Sequence, residues 1–205
     1  MKRANSDEQE RSIMLTKTAF AGSGGQGVLV MGYILSFSAM KEGKNVTYLP
    51  SYGAEVRGGT ANCTVSISDE EIASPVASSP DFVVAMNKPS MLKYQSLIKR
   101  GGIMILNSSL IDSDPDRDDI ELLKIPAYDI AVELGNERLF NIVMLGAFVA
   151  KTGIIARDSL LNGLAEVLKG KKVGSMDLNR QAFMRGAEYV SRYRKNIDKT
   201  VSLTG

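Results

Sequence analysis

Residues 16–28 read Thr-Lys-Thr-Ala-Phe-Ala-Gly-Ser-Gly-Gly-Gln-Gly-Val. Thr16–Ala21 is a short apolar run ahead of a glycine cluster, which predicts a buried strand. Gly22–Gly27 is the turn. From Gln26 to about Glu42, the apolar residues Val28, Met31, Leu35 and Ala39 recur at helical spacing, and Gly43 marks the stop. Val46–Leu49 predicts the next strand. Strand, glycine turn, helix and strand make a βαβ unit, which favours a parallel core.

Working outward, Pro50–Gly59 (PSYGAEVRGG) is too glycine-rich for either periodicity and reads as a loop. Asn62–Ser68 alternates as a strand and puts Cys63, Val65 and Ile67 on one face. Phe82–Met86 predicts a strand, followed by a helix from about Pro89 to Arg100, since proline suits a first helical turn. Gly101–Gly102 turns the chain into a strand at Ile103–Leu106, and Asp112–Asp119 reads as a solvated acidic loop. The second half predicts helices over Ala127–Leu134, Arg138–Lys151, Arg157–Leu168 and Leu178–Asn196. In the last, Phe183, Ala187 and Val190 form a docking stripe, and Arg185, Arg192, Arg194 and Lys195 make it basic. The expected fold is a three-layer α/β/α domain with a Rossmann-like βαβ start and a helical C-terminal region. It should occupy residues 16–200, behind a flexible N-terminal extension over 1–15.

Composition bounds the chemistry. A chain of 205 residues buries roughly 70% of the surface that it exposes when unfolded, enough for a core without staples. A net charge of +2 gives no reason to expect nucleic acid. Histidine, the commonest general base and metal ligand, is absent, and there is one cysteine, Cys63. No disulfide or all-cysteine iron–sulfur cluster can form within such a chain, so redox chemistry would be housed on a partner. Cys63 reads as a small core residue. Met1–Ser12 is polar and lacks the apolar stretch of a signal peptide. Leu139–Ala150, the longest apolar run, is too short for a bilayer. A cytoplasmic protein without a membrane segment, a metal site or catalytic residues of its own is expected.

Two motifs carry what function there is to read. Gly22-x-Gly24-x-x-Gly27 leaves backbone N–H groups at a helix N-terminus, where a phosphate or carboxylate fits. The same glycines would also serve plain close packing of strand on helix. A dinucleotide fold wants an acid at the end of the second strand, and Tyr48-Leu49-Pro50-Ser51 offers none. The lysine of a Walker loop is missing too. The second motif is Tyr52-Gly53-x-Glu55-x-Arg57-Gly58-Gly59, whose glycines permit close approach of another chain or ligand. Glu55 and Arg57 either pair with partner charges or are solvated on a surface turn. Asn141, inside an apolar helical run, is either a buried hydrogen-bonding residue or part of a subunit contact.

Taken together, GSGGQG, YGAEVRGG and the alternating strand after them resemble the gamma family of 2-oxoacid:ferredoxin oxidoreductases. The resemblance continues through Ile72-Ala73-Ser74-Pro75, Pro80–Met86 and Glu133-Leu134-Gly135-Asn136. It extends to Asn141-x-Val143-x-Leu145-Gly146-Ala147 and Leu178-Asn179-x-x-Ala182-Phe183-x-x-Gly186, and so covers Thr16 to Arg192. It implies a subunit that binds no cofactor alone, with thiamine diphosphate, magnesium and iron–sulfur clusters on partner subunits. The complex would convert a 2-oxoacid and coenzyme A to an acyl-CoA and carbon dioxide, reducing ferredoxin or a similar acceptor. Alpha and beta subunits and a ferredoxin-like delta subunit are the implied partners. Gly24, Gly25, Gln26 and Gly27 would meet an anionic group of coenzyme A. Tyr52, Gly53, Glu55, Arg57, Gly58 and Gly59 would form an interface or ligand loop.

A compact separate chain looks most like the 2-oxoglutarate enzymes. The pyruvate, branched-chain 2-oxoacid and indolepyruvate enzymes share the domain. A Rossmann-like nucleotide-binding module and a purely structural subunit are the competing readings.

Overall fold

Phe20 lies in the middle of the first strand, β1 (Thr16–Ser23), and the larger of two core clusters packs around its face of the sheet. The computed structural model describes residues 15–52, 60–73, 79–170 and 175–203. Helix α1 (Val28–Lys41) follows the glycine turn, then strands β2 (Asn45–Tyr52), β3 (Thr60–Ser68) and β4 (Phe82–Ala85). Helix α2 (Lys88–Tyr94) leads to β5 (Ile103–Asn107) and β6 (Glu121–Ile125). The rest is helical: α3 (Ala127–Glu133), a 3-10 turn at Glu137–Leu139, α4 (Phe140–Thr152), α5 (Arg157–Leu168) and α6 (Met176–Leu203).

The six strands are ordered β2-β3-β1-β4-β5-β6. β1, β4, β5 and β6 run parallel, while β3 is antiparallel to both β1 and β2. The βαβ start is present, because β1 and β2 point the same way. The parallel core that this start favours holds for β1, β4, β5 and β6, while β3 returns antiparallel between β1 and β2. A helix crossover fixes the relative direction of its two strands but not whether a later strand slots into the gap.

Register separates the two faces. Phe20 sits opposite Cys63 on one side and Val84 on the other, so these side chains share a face. That face is covered by α1 and α4, with α5 packed on α1 and α6 on α4. Phe148 of α4 meets the rings of Phe20 and Phe82 edge-on at 5.5 and 5.8 Å, a favoured aromatic geometry. On the opposite face, Met91 and Tyr94 of α2 cover Ala19, Ala21, Val83, Ala85, Met104 and Leu106. The expected three layers are there.

Cys63, Val65 and Ile67 are buried on one face as their alternation implies. Cys63 Sγ donates to Val28 O at 3.4 Å, and a side chain at Gly32 would lie 2.4 Å from that sulfur, so α1 rides directly on β3. Burial pushes the thiol up to about 12, which keeps it protonated and inert.

Other boundaries moved. The helix expected over Pro89–Arg100 stops at Tyr94, where Leu97 and Ile98 both donate to Tyr94 O and tighten the chain into a turn. β6 was not legible, since Glu121 and Lys124 break its apolar pattern at a sheet edge. The acidic loop is less free than its composition suggests. Asp112 pairs with Lys88 at 3.0 Å, Asp114 with Lys124, and Asp119 accepts two bonds from Arg117 at 2.5 and 3.0 Å.

Candidate functional site

The four parallel strands end at Ser23, Ala85, Asn107 and Ile125, along one edge of the sheet. From β1 the chain leaves through α1 toward β2, and from β4 it leaves through α2 toward β5, on the opposite face. The gap between the ends of β1 and β4 is therefore a topological switch point, the usual ligand crevice of an open α/β sheet. The glycine turn and Asn87 border it.

Within the turn the glycines differ in purpose. Gly25 has φ 92° with nothing near a notional Cβ, so it is glycine for its backbone alone. Gly27 caps α1 at φ 71°, and a Cβ there would lie 2.3 Å from Asn141 Nδ2. Gly24 and Gly25 are exposed, and no backbone group among the described residues accepts from their N–H groups. Val28 begins the helix, so its first-turn amides also lack intrahelical partners. These are the free donors that the motif promised.

Side chains complete the arrangement. Gln26 folds back inside the turn, its Oε1 accepting from Ser23 N at 2.7 Å and from Asn87 Nδ2 at 3.2 Å. Asn87 also donates to Ser23 Oγ at 2.7 Å, and its Oδ1 accepts from Ser90 N at 3.0 Å to cap α2. Asn141, at the start of α4, is 6% exposed; its Oδ1 accepts from Ile142 N at 3.0 Å. Its Nδ2, packed on Gly27, has no acceptor among the described residues. The oxygens of Gln26 and Asn141 are thus used internally. What remains unpaired among the described residues is a set of N–H groups, suited to an anion. Asn107, fully buried at the end of β5, likewise has no partner for its carboxamide among the described residues.

The cavity beside the turn is only about 20 Å³, between Gly22, Thr60, Asn62, Ser90 and Lys93. Larger hollows of about 430 and 250 Å³ lie elsewhere, the first beside Asp158 and Arg180, the second beside Thr16 and Lys44. No enclosed nucleotide pocket opens at the turn among the described residues, and β3 separates the end of β2 from the turn that follows β1. Both facts weigh against a freestanding nucleotide module. Among those residues no three His, Cys, Asp or Glu side chains cluster as a metal site, and no helix is long and apolar enough to cross a membrane.

Residues 17–189 match the family model described as pyruvate ferredoxin/flavodoxin oxidoreductase. The chain belongs to that family. Similar curated members include the ketoisovalerate oxidoreductase subunit VorA of Methanothermobacter marburgensis, 36% identical over 89% of this chain and 37% of VorA. The chain thus spans little more than a third of the length of that relative. The 2-oxoglutarate synthase subunit KorC of Methanocaldococcus jannaschii is 33% identical over 88% of this chain and 96% of KorC. Among solved family structures, the gamma subunit of a keto/oxoacid ferredoxin oxidoreductase from Geobacter sulfurreducens matches with a TM-score of 0.74 at 30% identity. It covers 86% of this chain and 99% of its own. The 2-oxoglutarate:ferredoxin oxidoreductase of Magnetococcus marinus, solved with 2-oxoglutarate, coenzyme A and succinyl-CoA bound, matches with a TM-score of 0.78 at 25% identity, over 87% and 31%.

Of the sequence-predicted positions, Gly24, Gly25, Gln26 and Gly27 stand together at the family domain's crevice. Tyr52 ends β2, and Gly53, Glu55, Arg57, Gly58 and Gly59 lie outside the described residues. Asn87 and Asn107 were missed. For Asn87 the signal was available: an asparagine just before Lys88-Pro89 at a helix start is an N-cap pattern.

Proposed function

We propose that this chain is the gamma subunit of a 2-oxoglutarate:ferredoxin oxidoreductase. The complex would convert 2-oxoglutarate, coenzyme A and oxidised acceptor to succinyl-CoA, carbon dioxide and reduced acceptor. The observation that carries the reading is a crevice where, among the described residues, N–H donors are unpaired and the adjoining cavity is too small to enclose a ligand. Such a half-site fits a subunit that closes over an anionic co-substrate held mainly by its neighbours. The similarity to KorC and to the Magnetococcus enzyme solved with coenzyme A supports the same choice.

In this reading the amides of Gly24, Gly25 and Gly27 and the carboxamide nitrogen of Asn141 donate to phosphate oxygens of coenzyme A. Gln26 shapes the turn and has its own Nε2 left to donate. The Tyr52–Gly59 loop contacts the ligand or a partner. Thiamine diphosphate, magnesium and iron–sulfur clusters belong to alpha, beta and ferredoxin-like delta subunits, in the cytoplasm. The buried, protonated Cys63 takes no part. A branched-chain 2-oxoacid enzyme is the second reading, favoured by the 36% identity to VorA.

Affinity capture of the tagged chain from its native cell extract tests the proposal. The eluate is assayed for coenzyme A-dependent dye reduction by 2-oxoglutarate, pyruvate and branched-chain 2-oxoacids. Co-purifying larger chains with 2-oxoglutarate activity are expected. Activity confined to branched-chain acids would move the substrate to the second reading, and an inactive chain captured alone would overturn the subunit role.

A further inference from the structure

Asn87 is the hub of the hydrogen bonds around the turn. It lies two residues beyond the end of β4 and immediately before α2, across the crevice from the glycine turn. Because Ser90 N can only donate, the atom it meets at 3.0 Å must be the carboxamide oxygen of Asn87. That leaves Nδ2 as a donor, and it serves Ser23 Oγ at 2.7 Å and Gln26 Oε1 at 3.2 Å. The backbone amide of Ser23, 2.7 Å from Gln26 Oε1, fixes the orientation of Gln26 by the same logic. Every amide in the network therefore has its oxygen turned inward and committed.

We propose that Asn87 is a positioning residue for coenzyme A, acting through Gln26. The inference rests on reading the turn as the coenzyme A contact. Asn87 holds the Gln26 carboxamide with its oxygen turned into the turn, so that the Gln26 side chain presents only its Nε2 donor. Without the Nδ2 donor, Gln26 Oε1 keeps a single partner, and the carboxamide is free to turn its oxygen toward the crevice. An acceptor would then face the phosphate oxygens and repel them. By capping α2, Asn87 also ties the shape of the turn to β4 and α2. The adjoining cavity is lined from both sides, by Gly22 next to the turn and by Ser90 and Lys93 of α2.

The test uses the assembled complex and steady-state kinetics. Asn87→Ser keeps an N-cap for α2 but lacks the second donor. Its expected effect is a rise of about tenfold in KM for coenzyme A, with kcat and KM for the 2-oxoacid unchanged. Gln26→Ala leaves no carboxamide for Asn87 to hold, so adding Asn87→Ser to it should raise KM no further, because the two lie on one path. Asn87→Asp, isosteric and also a cap, replaces the donor with an acceptor and should act more strongly; it covers the case in which the serine variant fails to assemble. Asn141→Ala, run in parallel, reports on the site itself. If it raises KM for coenzyme A and the Asn87 variants do not, the positioning role is overturned while the site stands. If none of the variants raises it, the site reading falls as well. Effects of Asn87→Ser and Gln26→Ala that multiply, or that appear equally in kcat, would also overturn the role.

Discussion

Two sets of glycines in this chain look alike in sequence and do opposite things. At the end of β1, Gly25 and Gly27 open the backbone: both have positive φ, and Gly25 faces empty space. At the crossing of α4 and α6, Gly146 and Gly186 close it. A Cβ on Gly146 would lie 2.0 Å from Phe183 O, and one on Gly186 would lie 2.0 Å from Val143 O. The first set exposes N–H groups at a crevice, and the second lets two helices touch backbone to backbone. Motif matching finds both sets and does not separate them; the geometry of the absent side chain does. Gly27 belongs partly to each set, with a left-handed backbone and Asn141 packed where a methyl would go.

The largest effect should come from the packing set. Gly146→Ala gains about 1 kcal/mol of helix propensity and forces α6 away from α4. A net loss of about 3 kcal/mol of stability is expected in denaturant unfolding of the isolated chain. In whatever complex still assembles, KM for coenzyme A should not change. A selective rise in that KM would erase the distinction between the two sets.

Gly27→Ala should show both behaviours. It strains a left-handed residue and displaces Asn141, so about 2 kcal/mol of stability should be lost together with a selective rise in KM for coenzyme A. Loss of stability alone would move Gly27 wholly into the packing set.

Cys63, pressed against Gly32, gives an effect that is absent at neutral pH and appears only as the solution turns alkaline. Its folded value is raised from 9.0 to about 12, so the unfolded chain gives up its proton first as pH rises. The stabilising contribution is complete below 9 and falls between 9 and about 12, by up to roughly 1.4 kcal/mol per pH unit. Unfolding curves across that range should show the decline, and Cys63→Ala should flatten it. An unchanged slope would mean that the α1–β3 contact admits water. Smallest of all, Gly25→Ala should cost about 1 kcal/mol for its backbone strain alone, read as a shift in thermal midpoint.

Much of this was legible beforehand because it follows from periodicity. Val28, Met31, Leu35 and Ala39 defined α1, alternation defined the buried face of β3, and α5 was bounded to the residue. The return of β3 between β1 and β2 was not, since the segment joining β2 to β3 is longer than a tight hairpin turn, which would have announced an antiparallel pair. β6 hid behind its two charged residues. At the site, free amides could be inferred from glycine spacing. The clamp of Gln26, Ser23 and Asn87 could not, because it joins residues 61 and 64 positions apart through single polar side chains that leave no periodic trace.

The most direct test of the account is the dissociation constant of coenzyme A for the assembled complex, with and without Asn141→Ala, measured by titration calorimetry. Removing the unpaired Nδ2 donor beside Gly27 should weaken binding by about tenfold while the complex stays whole. An unchanged constant would contradict the claim that this crevice meets coenzyme A, and would leave the chain a structural member of its family.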